Sequence, residues 1–275
     1  MTADIIAPLP IDRLRQSFQT AEPFPFIVID DFLEAAFARE VAAAYPTFET
    51  ALQQGFSFNF VNERKKVQVT DVSRFPDPVK RLNEAIASQP FLDQLSEITN
   101  IPKLLADPEL VGGGMHVTGP HGRLDVHVDF NFIPERKLHR RLNILIYLNP
   151  TWEADWGGAV ELWDRDVRHC HHALAPRLNR CVIFQTSETS FHGVQAVRCP
   201  EGVERRSFAA YYYTREPPPR WNGTTHSTIF RARPDERLRG YVLMPAERLQ
   251  RELQEGLRRV RRGVGRRVRR LVTGR

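Results

Sequence analysis

A chain of 275 residues that is 41% hydrophobic and 26% charged can bury a sizeable core, which excludes low-complexity disorder for most of its length and fits one large domain or one domain with appendages. The net charge of +6 is unevenly spread: residues 231–275 hold 15 Arg against five acids, a net of +10, and residues 1–230 carry a net of −4. The basic surplus belongs to a tail and the body is a mildly acidic globule, so the total charge does not by itself mark an acidic partner.

Residues 24–31 (FPFIVIDD) predict a short strand, being rich in β-branched and aromatic side chains. Asp31 is expected to cap a helix running to about Tyr45, its carboxylate accepting the free amides of the first turn, and Pro46 ends that helix. Residues 76–100 predict more helix, with apolar positions at Val79, Leu82, Ile86, Leu92, Leu95 and Ile98 and an interruption at Pro90. From about residue 110 short apolar runs follow one another: MHV, LDVHVDF, LNILIYLN, AVELWD, RCVIFQ, VQAV and RSFAAYYYT, parted by Gly and Pro. Many short strands between such turns predict a β-sandwich or barrel over about 110–215. After the three prolines at 217–219 comes the tail, where Leu249, Leu253, Leu257, Val260, Val264, Val268 and Leu271 form one stripe and arginines cover the other faces. That is a basic amphipathic helix, free to pack on the body, lie on an anionic membrane, grip nucleic-acid phosphates or dock on an acidic protein.

Three cysteines (Cys170, Cys181, Cys199), an odd number without CxxC spacing, argue against a disulfide framework and suit a reducing compartment. The first residues have neither a basic n-region nor an apolar run of signal-peptide length, and the densest apolar run, 144–148, is far too short for a transmembrane segment. The expected location is cytoplasmic.

The chemistry lies in residues 124–131 (LDVHVDFN), where strand alternation points His127 and Asp129 to one face. His192 opens another predicted strand, with 62 residues between it and Asp129. Two imidazoles and one carboxylate can fill one face of an octahedron, the facial triad of non-haem Fe(II) oxygenases; the helical HExxH of many catalytic zinc sites is absent. An HxD tripeptide alone is also what an ordinary surface strand offers. Thirteen residues after His192, Arg205 and Ser207 share a strand face, and a guanidinium fork suits the distal carboxylate of a dicarboxylic co-substrate. Tyr147 can donate its hydroxyl to the same carboxylate.

The ordered series HxD, RRLNILIYLNPTW, WGGAVELWD, FHGV and RRSFAAYYYT resembles the Fe(II)/2-oxoglutarate-dependent dioxygenases, most of all their prolyl 4-hydroxylase-like branch. The resemblance covers about residues 110–215, and FPFIVIDDFL near residue 25 fits it. It implies an α+β fold: a double-stranded β-helix (jelly-roll) core with N-terminal supporting helices, to which the tail adds a C-terminal basic helix. The implied division is 1–109 for a strand and supporting helices packed on the core, 110–216 for the catalytic core, and 217–275 for a Pro-rich linker and the basic tail. Carried over residue by residue, His127, Asp129 and His192 would hold iron, and Arg205 would bind the far carboxylate of 2-oxoglutarate, assisted by Tyr147, Ser207 and Asn143. Arg205 stands where collagen-type enzymes use lysine; the neighbouring Arg206 should face the other way. Asn131 is a candidate substrate contact or support for the triad.

The implied reaction hydroxylates an aliphatic C–H of a prolyl or other amino-acid side chain or of a small metabolite, consuming O2 and giving succinate and CO2, with ascorbate as a further candidate cofactor. Asp129 favours hydroxylation over halogenation. A nucleic-acid demethylase would carry a second arginine where this chain has Tyr211. The rival from another class is a catalytically silent jelly-roll module recruited by residues 246–275 to an anionic membrane or nucleic acid. The tract His169, Cys170, His171, His172 is expected to be a solvated loop, His116 and His121 hydrogen-bonded strand residues, Trp152, Trp156 and Trp163 packing, and Gly157-Gly158 a turn.

Overall fold

The computed structural model describes residues 5–219 and 221–236. Residues up to 231 form one compact unit, and 232–275 a second, of which the described part is a short turn. In chain order the elements are α1 (Ile11–Thr20), β1 (Phe26–Ile29), α2 (Ala35–Ala44), α3 (Phe48–Gln54), β2 (Phe56–Phe58), β3 (Glu63–Val69), α4 (Asp77–Ala87), α5 (Gln89–Thr99) and β4 (Leu105–Ala106). There follow β5 (Gly114–Val128), β6 (Phe132–Ile133), β7 (Leu138–Tyr147), β8 (Val160–Trp163), β9 (Cys170–Leu174), β10 (Cys181–Gln185), β11 (His192–Val194), β12 (Arg205–Thr214) and β13 (Ile229–Arg231).

The long strand β5 organises the molecule. Its first half, to Thr118, pairs with β12 and β3; its second half, from Leu124, pairs with β11 and β13. Between the halves the register against β3 jumps from Arg64↔Arg123 to Lys66↔Thr118, and His121 takes a φ of 64°. Such a bulge bends a strand, so β5 can serve two sheets. The major sheet runs β1-β10-β7-β12-β5-β3-β2 and the minor one β5-β11-β8-β9. The curled, wholly antiparallel result is a double-stranded β-helix with helices on one side, an α+β fold.

Strand alternation separates the two faces of the major sheet. On one face Val67, Val69, Met115, Val117, Leu142, Ile144, Ile146, Phe208 and Tyr212 join helical Leu14, Phe18, Val41, Val79, Leu82, Ile86, Leu95 and Ile98 in one buried cluster. Each such side chain contributes about 1.5–3 kcal/mol by leaving water, so the helices anchor the sheet from outside. The other face carries His116, Asn143, Tyr147, Arg205, Ser207 and Tyr211, all buried, and this polar interior is the site.

The helices at 77–87 and 89–99 meet where Pro90 was expected to interrupt, with Pro90 in the first turn of α5. Three local expectations need correction. Asp31 caps no helix: it sits in a turn with a φ of 55°, and α2 starts at Ala35 with Glu34 at its N-cap. The chain there is held instead by Asn179, which accepts from the Leu33 N–H and donates to the Leu33 carbonyl, both at 2.7 Å. The His/Cys tract is no loop, since Cys170, His171 and His172 lie in β9, an exposed edge strand paired with β8. Beyond the three prolines the chain returns as β13, a strand with no forerunner in the sequence pattern. The expected basic helix and residues 246–275 lie outside the described residues. No helix among the described residues is long and apolar enough to cross a membrane.

Candidate active site

His127 and His192 are directly paired across β5 and β11, with ring centroids 4.3 Å apart. Each Nδ1 lies 2.9 Å from the carbonyl two residues earlier, Asp125 and Ser190 respectively. That contact fixes the Nδ1–H tautomer and turns the bare Nε2 inward. Asp129, one residue past the end of β5, meets both: its Oδ1 is 3.5 Å from His127 Nε2 and its Oδ2 is 3.4 Å from His192 Nε2. The three ligand atoms lie within 4.8 Å of one another. Phe230 of β13 and Phe184 of β10 lie against the His127 and His192 rings, at 5.3 and 4.6 Å.

The electrostatics suit a cation. Burial, with the neighbouring His127 adding to it, pushes His192 down to about 4. For Asp129 burial works to raise the pKa, but the charge of Arg140, then His192 and His127, holds the carboxyl well below its ordinary range. Two imidazoles and one carboxylate, converging at one point in a buried site, are a donor set that fits Fe(II).

Asp129 has two further partners. Its Oδ2 accepts from Asn143 Nδ2 at 2.8 Å and pairs with an Arg140 guanidinium nitrogen at 3.1 Å. Asn143 therefore reaches the triad's carboxylate while also lining the pocket. Arg140 is a residue that strand parity hides. Counting by two from Asn143 would leave Arg141 inside and Arg140 on the helix side, but β7 bulges against β12. Tyr212 pairs with Leu142 and Tyr213 with Arg140, so Arg141 is the extra residue. The only sequence signal was the adjacent pair Arg140-Arg141, which does not say which one turns in.

At the other end of the pocket the strand register builds two rows. Lys66, Thr118 and Arg205 are directly opposed on β3, β5 and β12, and Gln68, His116, Ser207 and Tyr147 on β3, β5, β12 and β7. Arg205 is 4% exposed. It donates from Nε to the Gly158 carbonyl at 2.6 Å, from one terminal nitrogen to Ser207 Oγ at 3.4 Å, and from the other to Tyr147 Oη at 3.3 Å. Among the described residues no carboxylate pairs with it. A buried guanidinium with only neutral partners is unbalanced, and an anionic ligand would balance it. Arg206 faces the opposite way, its side chain on Glu204 and its N–H on Asn149.

The pocket lining joins the two ends through His127, Asp129, His192, Asn143, Arg205, Ser207, His116, Lys66 and Tyr211, with Leu145, Val160 and Phe184 as apolar wall. His116 thus both lines the pocket and bonds the Gly112 carbonyl. Tyr147 reaches it through Arg205. Asn131 points elsewhere, with its amide nitrogen on Glu188 and the Thr224 carbonyl and its oxygen on the His226 N–H.

Fold and site together define a double-stranded β-helix with a two-His, one-carboxylate centre and a buried arginine at the far end of its pocket. The model of the 2OG-Fe(II) oxygenase superfamily matches residues 113–213, the stretch that carries the triad and Arg205, and over that stretch the chain is similar to those enzymes. A prolyl 3-hydroxylase OGFOD1 of Mus musculus is 35% identical over 78 residues, 27% of this chain and 14% of that protein. A prolyl 3,4-dihydroxylase OGFOD1 of Ostreococcus tauri is 28% identical over 215 residues, 70% of this chain and 38% of that protein. The chain therefore spans less than half the length of either relative. A prolyl hydroxylase from Trichoplax adhaerens, solved with a peptide fragment of the hypoxia inducible factor oxygen degradation domain, superposes with a TM-score of 0.52 at 17% identity. It covers 74% of this chain and 90% of that one.

Proposed function

We propose that this protein is an Fe(II)- and 2-oxoglutarate-dependent dioxygenase that hydroxylates an aliphatic C–H bond, with a prolyl or other amino-acid side chain of a protein as its substrate class. The observation that carries the reading is the placement, in one pocket, of the triad at one end and the unbalanced Arg205 at the other. His127, Asp129 and His192 would hold the metal; Arg205, with Tyr147 and Ser207, would hold the distal carboxylate of 2-oxoglutarate. When bound, iron and 2-oxoglutarate supply the activation of O2, with succinate and CO2 formed alongside the hydroxylated product.

The chain's own contribution is positional. The carbonyls of Asp125 and Ser190 keep the two imidazoles in the ligating tautomer. Gly158, Ser207 and Tyr147 aim the Arg205 fork into the pocket, and its burial strengthens the pairing with a carboxylate. Leu145, Val160 and Phe184 exclude water beside the centre. The substrate class is supported by the names of the two relatives, and a small metabolite is the alternative substrate. The free cysteines Cys170, Cys181 and Cys199 suit a reducing, cytoplasmic setting. The rival binding-module reading rests on residues 246–275 and has no observation in its favour.

The test is succinate formation from 2-oxoglutarate under air with Fe(II), joined to a search for +16 Da products on proline-rich peptides and on lysate fractions. Loss of succinate in His192→Ala supports the reading. Iron binding that survives in a His127→Ala/Asp129→Ala double variant would sink the site.

A further inference from the structure

We infer that Arg140 and Asn143, by an ion pair and a hydrogen bond, form a two-point clamp that holds Asp129 as a one-oxygen ligand and so keeps a coordination position open for the co-substrate. This inference rests on the metal and 2-oxoglutarate reading above.

Both contacts converge on one atom. Asn143 Nδ2 donates to Asp129 Oδ2 at 2.8 Å, and the Arg140 guanidinium meets the same oxygen at 3.1 Å. Oδ1 faces His127 Nε2 at 3.5 Å and has no other partner among the described residues, whereas Oδ2 carries both contacts and also lies 3.4 Å from His192 Nε2. A carboxylate oxygen that accepts a hydrogen bond and is also paired with a cation is a poorer donor to a metal than the other oxygen of the same group. The clamp is itself clamped. Arg140 donates from Nε and a terminal nitrogen to Asn143 Oδ1 at 3.0 and 2.9 Å, which orients the amide so that its NH2 faces Asp129. The Arg140 guanidinium lies 3.6 Å from the centre of the Tyr211 ring and 4.7 Å from that of Phe130, and its side chain is 1% exposed. Neutralising a buried carboxylate would need only one cation near either oxygen. A hydrogen bond and an ion pair on the same oxygen, with the amide oriented by the guanidinium, do more: they load Oδ2 and leave Oδ1 the less encumbered oxygen.

The selection matters because three protein donors on a six-position metal leave three positions for exogenous ligands, and a second carboxylate oxygen would take one of them. Arg140 is absent from the pocket lining, so it acts through Asp129 and is a positioning residue. Asn143 both lines the pocket and belongs to the clamp.

The experiment uses the full chain, with Co(II) as spectroscopic probe, in the wild type, Arg140→Met and Asn143→Leu. Co(II) is titrated into metal-free protein, its visible spectrum recorded, and 2-oxoglutarate then titrated into the loaded protein. In Arg140→Met the Co(II) midpoint should stay the same or tighten, because Asp129 gains a second ligating oxygen. The 2-oxoglutarate midpoint should rise about tenfold or more, the scale on which partners of metal ligands act. Asn143→Leu keeps the ion pair and therefore serves if Arg140→Met does not fold. It is judged on its Co(II) spectrum before 2-oxoglutarate is added, which should differ from that of the wild type. Unchanged spectra and midpoints would overturn the clamp, as would Co(II) and 2-oxoglutarate binding that weaken by the same factor, the mark of a merely structural role. Failure of the wild type to bind Co(II) would instead overturn the metal reading and the clamp with it.

Discussion

The Arg205 side chain is held by a carbonyl, not by an acid: its Nε donates to Gly158 O at 2.6 Å, across 47 residues of sequence. Gly158 has a φ of 67°, and a Cβ on it would stand 3.0 Å from the Trp152 ring and 3.1 Å from Arg205 Cδ. The positive φ and the close approach both demand glycine. In Gly158→Ala the guanidinium must shift, so the KM for 2-oxoglutarate should rise by about tenfold or more while the KM for the prime substrate moves less; a 1 Å error at a positioned group costs on that order. Equal changes in both constants would argue that Gly158 serves only the fold.

The Tyr147 hydroxyl and the Arg205 fork can be weighed against each other. Burial raises the Tyr147 pKa, so it is a neutral phenol at neutral pH, and its 3.3 Å bond to Arg205 is long. Tyr147→Phe should raise the 2-oxoglutarate KM by only about 3–10-fold, as for one hydrogen bond. Arg205→Lys keeps a cation but loses the fork, and the cost should be about 10–100-fold. Steady-state rates at varied 2-oxoglutarate give both numbers. The reverse order would mean that the carboxylate is held by the phenol.

The metal-free protein should lose stability in mild acid. His116 is held well below its ordinary pKa, by burial first and then by the charges of Lys66 and Arg205, and His192 is pushed down to about 4. The unfolded chain protonates both near the ordinary histidine value of about 6.5. Below that pH the unfolded state binds more protons than the folded one, so stability falls as pH drops from about 6.5 towards 4. Asp129, with its depressed pKa, adds to the loss only below about pH 4. Urea midpoints at pH 7.5 and pH 5 test this, and His116→Gln should shrink the difference between them.

The legible parts of the site were those where strand alternation runs undisturbed. Ser207, opposite both His116 and Tyr147, shares a face with Arg205 because nothing interrupts β12 between them; His127 and His192 meet because β5 and β11 pair at those residues. Period 2 failed at the Arg141 bulge, where one extra residue swaps which of two adjacent arginines faces the carboxylate. It also failed after β5 ends. Asn131, two residues beyond Asp129, was expected on the triad's face but lies outside any strand and fastens the segment around Thr224 and His226. The strand at Ile229–Arg231 escaped notice because three residues give no period, and its place is set by pairing with Val126, His127 and Val128. Asp31 shows the same limit for helices: a capping residue type was present, but the turn it occupies is fixed by Asn179, 148 residues away in sequence.

The ion pair between Asp129 and Arg140 yields the last prediction, which separates stability from metal binding. Arg140 is buried, and Asp129 is its only carboxylate partner among the described residues. Asp129→Ala leaves the guanidinium inside without a counter-charge, and breaking such a pair on one side costs about 3–5 kcal/mol. The Tyr211 ring at 3.6 Å still attracts the cation, which places the expected loss at the lower end, about 3 kcal/mol. Adding Arg140→Met removes the stranded charge and replaces it with an apolar chain of similar length. The double variant should therefore recover most of the lost stability, with an interaction energy of about 1–3 kcal/mol in the double-mutant cycle. It should recover no metal binding, since the anionic ligand is gone. Chemical denaturation and Co(II) titration on the four proteins provide both readings. If the double variant is as unstable as Asp129→Ala, the buried charge is not the cause of the loss, and the carboxylate stabilises the fold through Asn143 instead.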